Sequence, residues 1–399
     1  MKNNMITYIL AFIVFLIGTV EYIITGVIEM IAVDFGVTVS EAGLLVTVFA
    51  LAAAIIAAII APILIALTIN MDRKKLLINT IGVFIVSNVL MFISPAYEAA
   101  LWIRILQGVS GGIATVVAMA VAARLVEKEK RGHAIGIILM GLSSSLVLGV
   151  PIGTFFSEMF GWRVLFILIG LLTILPLLTV YKRVPAIKEE ETVTLRMQLS
   201  ILKDSKILTA LAITLFYIGG YATLFTYITP FLQAISTLSI TEISGILFLA
   251  GICSFMGSRM GGQLADTKGS KFTIYFGLFL QGVTLLLFTL AGFNLFVLIL
   301  VLMIFMLATW SISPAQQLLL VTLVPRNPDI ALSINTSFIQ FGFALGSGLG
   351  GLVISHTSVL NLNWVGLGAV IIALCLAIML FRTWNNGIET SIVPKEKIN

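Results

Sequence analysis

Charge is what this 399-residue chain has least of: Asp, Glu, Lys and Arg together make up 10% of it, against about 25% in ordinary soluble domains. Cysteine and histidine are scarcer still, with two of each. Cys253 and Cys375 both fall inside apolar runs with no metal-ligand spacing, so neither a disulfide framework nor a metal site is implied. His133 and His356 are isolated from each other and make poor catalytic candidates. A glycine-rich phosphate loop ending in Lys and Ser or Thr is also missing, which argues against direct ATP drive. These shortages leave an enzyme as the least supported class. The formal net charge of +5 is read as membrane-surface charge, not as a nucleic-acid footprint.

What the chain has in quantity is apolar residue, 59% of the total, with a mean hydropathy of +1.14. Apolar runs of about 20 residues recur along it, each able to cross a hydrocarbon core of about 30 Å as a helix. The expected fold is therefore an all-α membrane protein of about twelve transmembrane helices. The expected spans lie at roughly 6–31, 41–66, 75–94, 99–124, 134–158, 164–181, 207–233, 241–264, 272–292, 295–323, 330–355 and 364–383. The first run is too long for a secretory signal, contains Glu21 and lacks a small-residue cleavage site, so it is read as a retained span. Basic residues collect at Lys2, in MDRKK, in RLVEKEKRGH, in the central polar segment, in DTKGSK and near the C-terminus. By the positive-inside rule both termini are expected in the cytoplasm.

The long polar segment YKRVPAIKEEETVTLRMQLSILKDSK separates two sets of six spans. The expected organisation is an N-terminal bundle at 1–181, a linker at 182–206, a C-terminal bundle at 207–383 and a tail at 384–399. Residues 193–202 have the apolar spacing of a surface amphipathic helix, and a plain linker is the competing reading. The halves echo each other: aligning Gly262 with Ile65 puts Leu264 on Leu67 and Lys271 on Lys74. Paired bundles with a central cavity are how many secondary transporters alternate access.

Glu21 sits about 15 residues, or roughly 22 Å, into the first span. A charged acid at that depth carries an insertion penalty of about 2.5–3.5 kcal/mol, and desolvation favours the neutral form. Glu21 is thus the candidate proton carrier, ionised when open to one side and neutral when enclosed. A structural acid paired with a hydroxyl or backbone group is the alternative. Arg104, inside the fourth span, cannot readily discharge and must find acceptors in the bundle or snorkel to the interface. The fifth span carries Gly141, Gly149, Pro151 and Gly153 around Ser143–Ser145, a set suited to a kinked, closely packed helix. Gly342, Gly346 and Gly350 form a similar stripe on the eleventh. Candidate substrate contacts are Tyr217, Tyr221 and Tyr227 on the seventh span, Trp310, Gln316 and Gln317 on the tenth, and Asn335 and Gln340 on the eleventh, with Gln107 on the fourth. Aromatic faces and amides that donate and accept suit planar heterocycles, although Tyr and Trp also populate membrane interfaces.

GGQLADTKGSK resembles the signature loop of the major facilitator superfamily, with Gly262, Asp266, Gly269 and Lys271 on the pattern. The first copy is degraded, with Ile65, Ile69 and Asp72 in place of pattern residues and Arg73 and Lys74 retained. RILQGVSGG, GLSSSLVLGVPIG and FGWRVLF are similar to segments of the twelve-span drug:proton antiporter branch, the arabinose and nucleoside efflux type. TVEYIITGV and WSISPAQQ add a resemblance to bacterial purine base and nucleoside efflux pumps. Glu29 departs from the proline or small residue usual at its position in that branch. The resemblance implies a proton-coupled exporter in a bacterial cell membrane. It would be a monomer in the lipid bilayer, with protons and a small molecule as partners, no cofactor beyond the proton gradient, and no nucleic acid. It further implies that Arg104 tunes Glu21 or holds neighbouring backbones, and that the loop and fifth-span residues gate the cycle. A multidrug or sugar exporter, uptake by symport, and a non-transporting membrane sensor are the competing readings.

Overall fold

The computed structural model describes residues 2–56, 72–127, 131–186, 201–291, 294–325 and 328–392. Among them there is helix and no strand. The first half contributes α1 (Lys2–Tyr22), α2 (Ile24–Phe35), α3 (Val39–Ile55), α4 (Arg73–Phe92), α5 (Tyr97–Arg124), α6 (Arg131–Ser144), α7 (Val150–Phe160) and α8 (Trp162–Arg183). The second contributes α9 (Ser205–Phe225), α10 (Ile228–Ile235), α11 (Ile240–Ala291), α12 (Leu295–Leu323), α13 (Pro328–His356) and α14 (Leu362–Ile392). A π-helical segment, Ser145–Gly149, joins α6 to α7.

Ten described stretches are long and apolar enough to cross a bilayer, one of them being Ile240–Thr289. Gly269, at φ 84° and ψ 157°, interrupts that stretch, a conformation that a residue without Cβ adopts at little cost. Dividing the stretch there and adding the shorter apolar helix α3 agrees with the twelve spans expected. Trp102, Leu175 and Phe296 are more than 70% exposed; on a spanning bundle such side chains face lipid, where exposure costs nothing. The expected first and seventh spans are each two helices, broken near Ile23 and Tyr227. Ile65 and Ile69 of the first loop copy, and most of the 193–202 segment, lie outside the described residues.

The two halves repeat local chemistry. Thr38 and Glu41 form a capping box at the start of α3. Ser239 and Glu242 do the same at the start of α11, through Ser239 N to Glu242 Oε2 at 2.8 Å and Glu242 N to Ser239 Oγ at 3.2 Å. In each case the reciprocal bonds satisfy backbone donors that the first helical turn cannot.

Small residues set the helix–helix approach in both halves. A Cβ on Gly141 would strike the Ala11 carbonyl, one on Gly149 would strike Thr19, and one on Gly153 would lie 2.6 Å from Ile23. The fifth-span glycines therefore seat that span on α1 and α2. The π turn precedes Pro151, which has no N–H to continue the ladder, and Val150 N–H bonds back to Ser145 O. In the second half, Cβ atoms on Gly342 and Gly350 would meet Leu215 O and Tyr227 at 2.8 and 2.7 Å, so α13 lies against α9 and the break at Tyr227.

Turns at 36–38, 93–96, 161, 236–239 and 357–361 share one face, termed distal, opposite the N-terminus and Gly269 on the proximal face. The halves meet on its side of the bundle. Ser40 Oγ donates to Gly351 O at 2.7 Å, Thr47 and Ser347 hydroxyls pair at 2.8 Å, Thr229 Oγ1 donates to Thr25 O at 2.8 Å, and Thr241 Oγ1 donates to Glu158 Oε2 at 2.6 Å. Gly251 packs directly on the Leu146–Val147 backbone of the π turn. The distal end is thereby closed.

Candidate functional site

Glu21 occupies the last turn of α1, immediately before the break at Ile23. Interrupting a helix releases carbonyl oxygens that need other donors. Arg104 serves two of these, Nη1 donating to Val20 O at 2.9 Å and Nη2 to Glu21 O at 3.3 Å, while its Nε donates to Leu45 O within α3 at 3.0 Å. A cation at the carboxyl end of a helix is also favourably placed in its dipole. The guanidinium lies 4.3 Å over the Phe49 ring and donates to Gln107 Oε1 at 3.1 Å. Gln107 Nε2 donates to Asn88 Oδ1 at 3.4 Å, and Asn88 Nδ2 to Phe84 O at 2.7 Å. Arg104, Gln107 and Asn88 are all fully buried. Arg104 thus holds neighbouring backbones and does not snorkel. Gln107 is placed in this chain, apart from the other expected substrate contacts.

The Glu21 carboxylate itself reaches across to the other half. Its Oε1 accepts from Gln340 Nε2 at 2.9 Å, and Glu21 is 7% exposed. Three residues on, Phe343 shares the same face of α13. Its ring lies 5.5 Å from Tyr22 and 5.6 Å from Tyr221. Tyr221 is ringed further by Phe225 at 4.9 Å, Phe305 at 5.9 Å and Trp310 at 6.1 Å. Within this group Gln340 Oε1 is buried with no hydrogen-bond partner in the protein, and the buried Tyr221 hydroxyl and Trp310 Nε1 have no polar neighbour beyond each other. Buried polar atoms are normally paired, so Gln340 Oε1 marks this group as a candidate ligand contact.

The other expected contacts form adjoining layers toward the proximal face. Tyr217 is buried, and its carbonyl accepts from Gln281 Nε2 at 3.1 Å. Thr214 Oγ1 donates to Asn335 Oδ1 at 2.7 Å, Gln316 Nε2 donates to Ala210 O, and Gln317 contacts Ser313 Oγ at 3.5 Å. Tyr227 is placed in the distal closure, with its hydroxyl donating to Ser347 O at 2.9 Å and pressed against Gly43. Sequence reasoning missed Tyr22, Asn88, Phe305 and Phe343. The spacing of Phe343 from Gln340 was a usable signal, and for Asn88 a lone amide in an apolar run was another.

The loop residues lie far from this group. Asp266 is exposed, and Lys271 lies 6.0 Å over the Phe381 ring. Lys74 Nζ is 5.7 Å over Tyr181, and Lys74 N caps on Asp72 Oδ1 at 2.9 Å, while Arg73 is buried. Gly262 is half-buried in α11 with open space where a Cβ would lie. On the distal face Arg163 ties three turns together, donating to Asp34 Oδ2 at 2.8 Å and Ser94 O at 2.6 Å, while Trp162 Nε1 donates to Asp34 at 3.1 Å. Glu29 and Asp34 line an open groove of about 650 Å³ beside it. Among the described residues no His, Cys, Asp and Glu cluster could hold a metal ion.

Comparison with known proteins gives concordant matches. Residues 10–328 match the sequence model described as the Major Facilitator Superfamily. The chain is 36% identical over 383 residues to the "Uncharacterized MFS-type transporter YbcL" of Bacillus subtilis, covering 96% of this chain and 97% of that one. It is 28% identical to the "Inner membrane transport protein YdhP" of Escherichia coli K12, covering 98% and 99%. To a "Probable sugar efflux transporter" of Mannheimia succiniciproducens it is 27% identical, covering 91% and 90%. Among solved structures, a bacterial homologue of the human lysosomal transporter Spinster superposes with a TM-score of 0.74 at 15% identity, covering 96% of this chain and 98% of that one.

Proposed function

This chain belongs to the Major Facilitator Superfamily, and from that premise we propose that it is a proton-coupled antiporter exporting small amphipathic molecules, purine bases and nucleosides foremost, by alternating access. It is a multi-pass membrane transporter and not an enzyme. The observation that carries the proposal is a buried carboxylate on the broken first helix whose side-chain partners are neutral, an amide of the opposite half and the neighbouring Tyr22 hydroxyl. Arg104 contacts the backbone at the break, so the charge of Glu21 is not locked into a side-chain ion pair and remains available for exchange. On this reading both termini are cytoplasmic, the distal face is external, and residues 1–181 and 207–383 are the two rocking bundles. The groove around Tyr221 and Trp310 then receives the cargo: rings stack on its aromatic faces, while Gln340 Oε1, the Tyr221 hydroxyl and Trp310 Nε1 offer acceptor and donor. Asp266, exposed while the distal end is closed, is free to pair when the proximal face closes.

The sugar efflux relative supports a second reading, export of sugars, for which the same aromatic faces and unpaired polar atoms also suit. Proteoliposomes with an imposed pH gradient, challenged with labelled adenine, guanosine, arabinose and chloramphenicol, separate these substrates. Gradient-driven flux of a purine that Glu21→Gln reduces to background is the expected result. Flux indifferent to the gradient, or undiminished uphill transport in Glu21→Gln, rejects proton coupling. Binding with no flux of either partner makes the protein a sensor.

A further inference from the structure

The bond between Glu21 and Gln340 is incomplete in an informative way. Gln340 Nε2 donates to Glu21 Oε1 at 2.9 Å, yet Gln340 Oε1, on the same planar amide, is buried and unpaired. An ionised carboxylate only accepts, so it cannot serve that oxygen. A protonated carboxyl group can: its carbonyl oxygen accepts from the amide N–H while its O–H donates to the amide oxygen, giving two parallel hydrogen bonds. The geometry points to Gln340 as the residue that reads the protonation state of Glu21, forming an acid–amide pair that clamps the halves together when Glu21 binds a proton. This inference rests on Glu21 being the exchanging acid. The proton arrives from water on the distal face while that face is open, joins one carboxylate oxygen, and leaves to water on the proximal face after the distal end has closed, with no other covalent bond changing.

The sign follows. The pair joins α1 to α13 in the state whose distal end is closed by Ser40, Thr47, Thr229 and Thr241. Protonation therefore favours distal closure, and loss of the proton releases it. α13 carries the signal onward, because Phe343 bridges Tyr22 to Tyr221 and Gly342 and Gly346 seat α13 on α9. The charged or titratable groups acting at Glu21 are Arg104 on α5 and Tyr22, with Tyr221 on α9 acting on Tyr22 in turn. The remaining charged or titratable groups on the helices around it are Glu98 and Arg124 at the two ends of α5, Glu29 midway along α2 and Asp34 at its end, Glu41 at the start of α3, Arg131 and His133 at the start of α6, Glu158 near the end of α7, Arg163, Lys182 and Arg183 at the ends of α8, and His356 in the last turn of α13.

The test needs no substrate. Spin labels at Val33→Cys and Thr237→Cys, both exposed on the distal side of opposite halves, report closure in lipid nanodiscs, with Cys253 and Cys375 replaced by Ala. Between about pH 8.5 and about pH 5.5 the closed-to-open ratio should rise about tenfold in this background, the effect of one gained hydrogen bond. Gln340→Met, near in volume but without donor or acceptor, should respond less than about twofold, as should Glu21→Gln. Gln340→Asn, whose amide is withdrawn by one methylene, replaces the Met variant if that one fails to fold. A Gln340 variant that closes on acidification as fully as its parent overturns the clamp while a flat Glu21→Gln keeps the proton site. A parent and a Glu21→Gln variant that behave alike overturn the proton-site reading itself.

Discussion

Residues 2–186 set a guanidinium and two amides behind Glu21, whereas residues 201–392 set four aromatic side chains around Tyr221 at the same depth. Both halves place an amide on their third span, Asn88 in one and Gln281 in the other. In the first half Arg104 and both Gln107 side-chain polar atoms are hydrogen-bonded. In the second, Oε1 of Gln281, Gln316 and Gln340 are left without protein partners, and the Tyr221 hydroxyl and Trp310 Nε1 have no polar neighbour beyond each other. A satisfied polar network rigidifies its surroundings, and a partly satisfied one is costly unless something else completes it. On the proposed reading, the first half is built to hold one acid in place and the second to receive cargo.

Replacing Arg104 with Ala should break the comparison most forcefully. Three carbonyls and Gln107 lose their donor, and destabilisation of about 3–5 kcal/mol is expected in thermal unfolding in detergent micelles. A loss below about 1 kcal/mol would mean that the first half is no more rigid than the second. At the seam, Gly43→Ala places a methyl against the Tyr227 hydroxyl. Overpacking of about 1–3 kcal/mol should shift the population toward an open distal face, seen as increased thiol labelling of a cysteine placed at Ser347. In the second half, Tyr221→Phe removes a hydroxyl that makes no geometrically sound bond within the protein. Stability should hold within about 0.5 kcal/mol while cargo affinity, measured by equilibrium dialysis, falls about tenfold. The smallest effect expected is that of Gln281→Ala, about 1 kcal/mol of stability for one bond to the Tyr217 carbonyl and no change in the pH dependence of flux.

Much of this was legible in the sequence where the signal is local. Runs of apolar residues located the spans, because a bilayer demands length and hydropathy and little else. Glu21 was conspicuous for the same reason, being an acid where acids are expensive. Pro151 and its flanking glycines announced an irregular fifth span, and the π turn at Ser145–Gly149 is the form it takes. Gly269 marked the turn between the eighth and ninth spans. The matching capping boxes at Thr38 and Ser239 were readable as Thr-x-x-Glu and Ser-x-x-Glu, a second trace of the repeat.

Other features had no local signal. Arg104 could be recognised as needing acceptors, but those acceptors are the carbonyls of Val20, Glu21 and Leu45, and a carbonyl is the same whichever side chain it accompanies. Tyr217, Tyr221 and Tyr227 look alike as a series on one span, yet the break near Tyr227 sets that residue in the distal closure, apart from Tyr217 and Tyr221 on α9. Composition and periodicity thus settled that the chain spans a membrane many times with a carboxylate at depth, since burial in lipid acts on each residue by itself. Which amide meets that carboxylate, and which tyrosine meets a glycine across the seam, depended on how distant helices pack, because a hydrogen bond between residues 319 positions apart exists only once both backbones are in place.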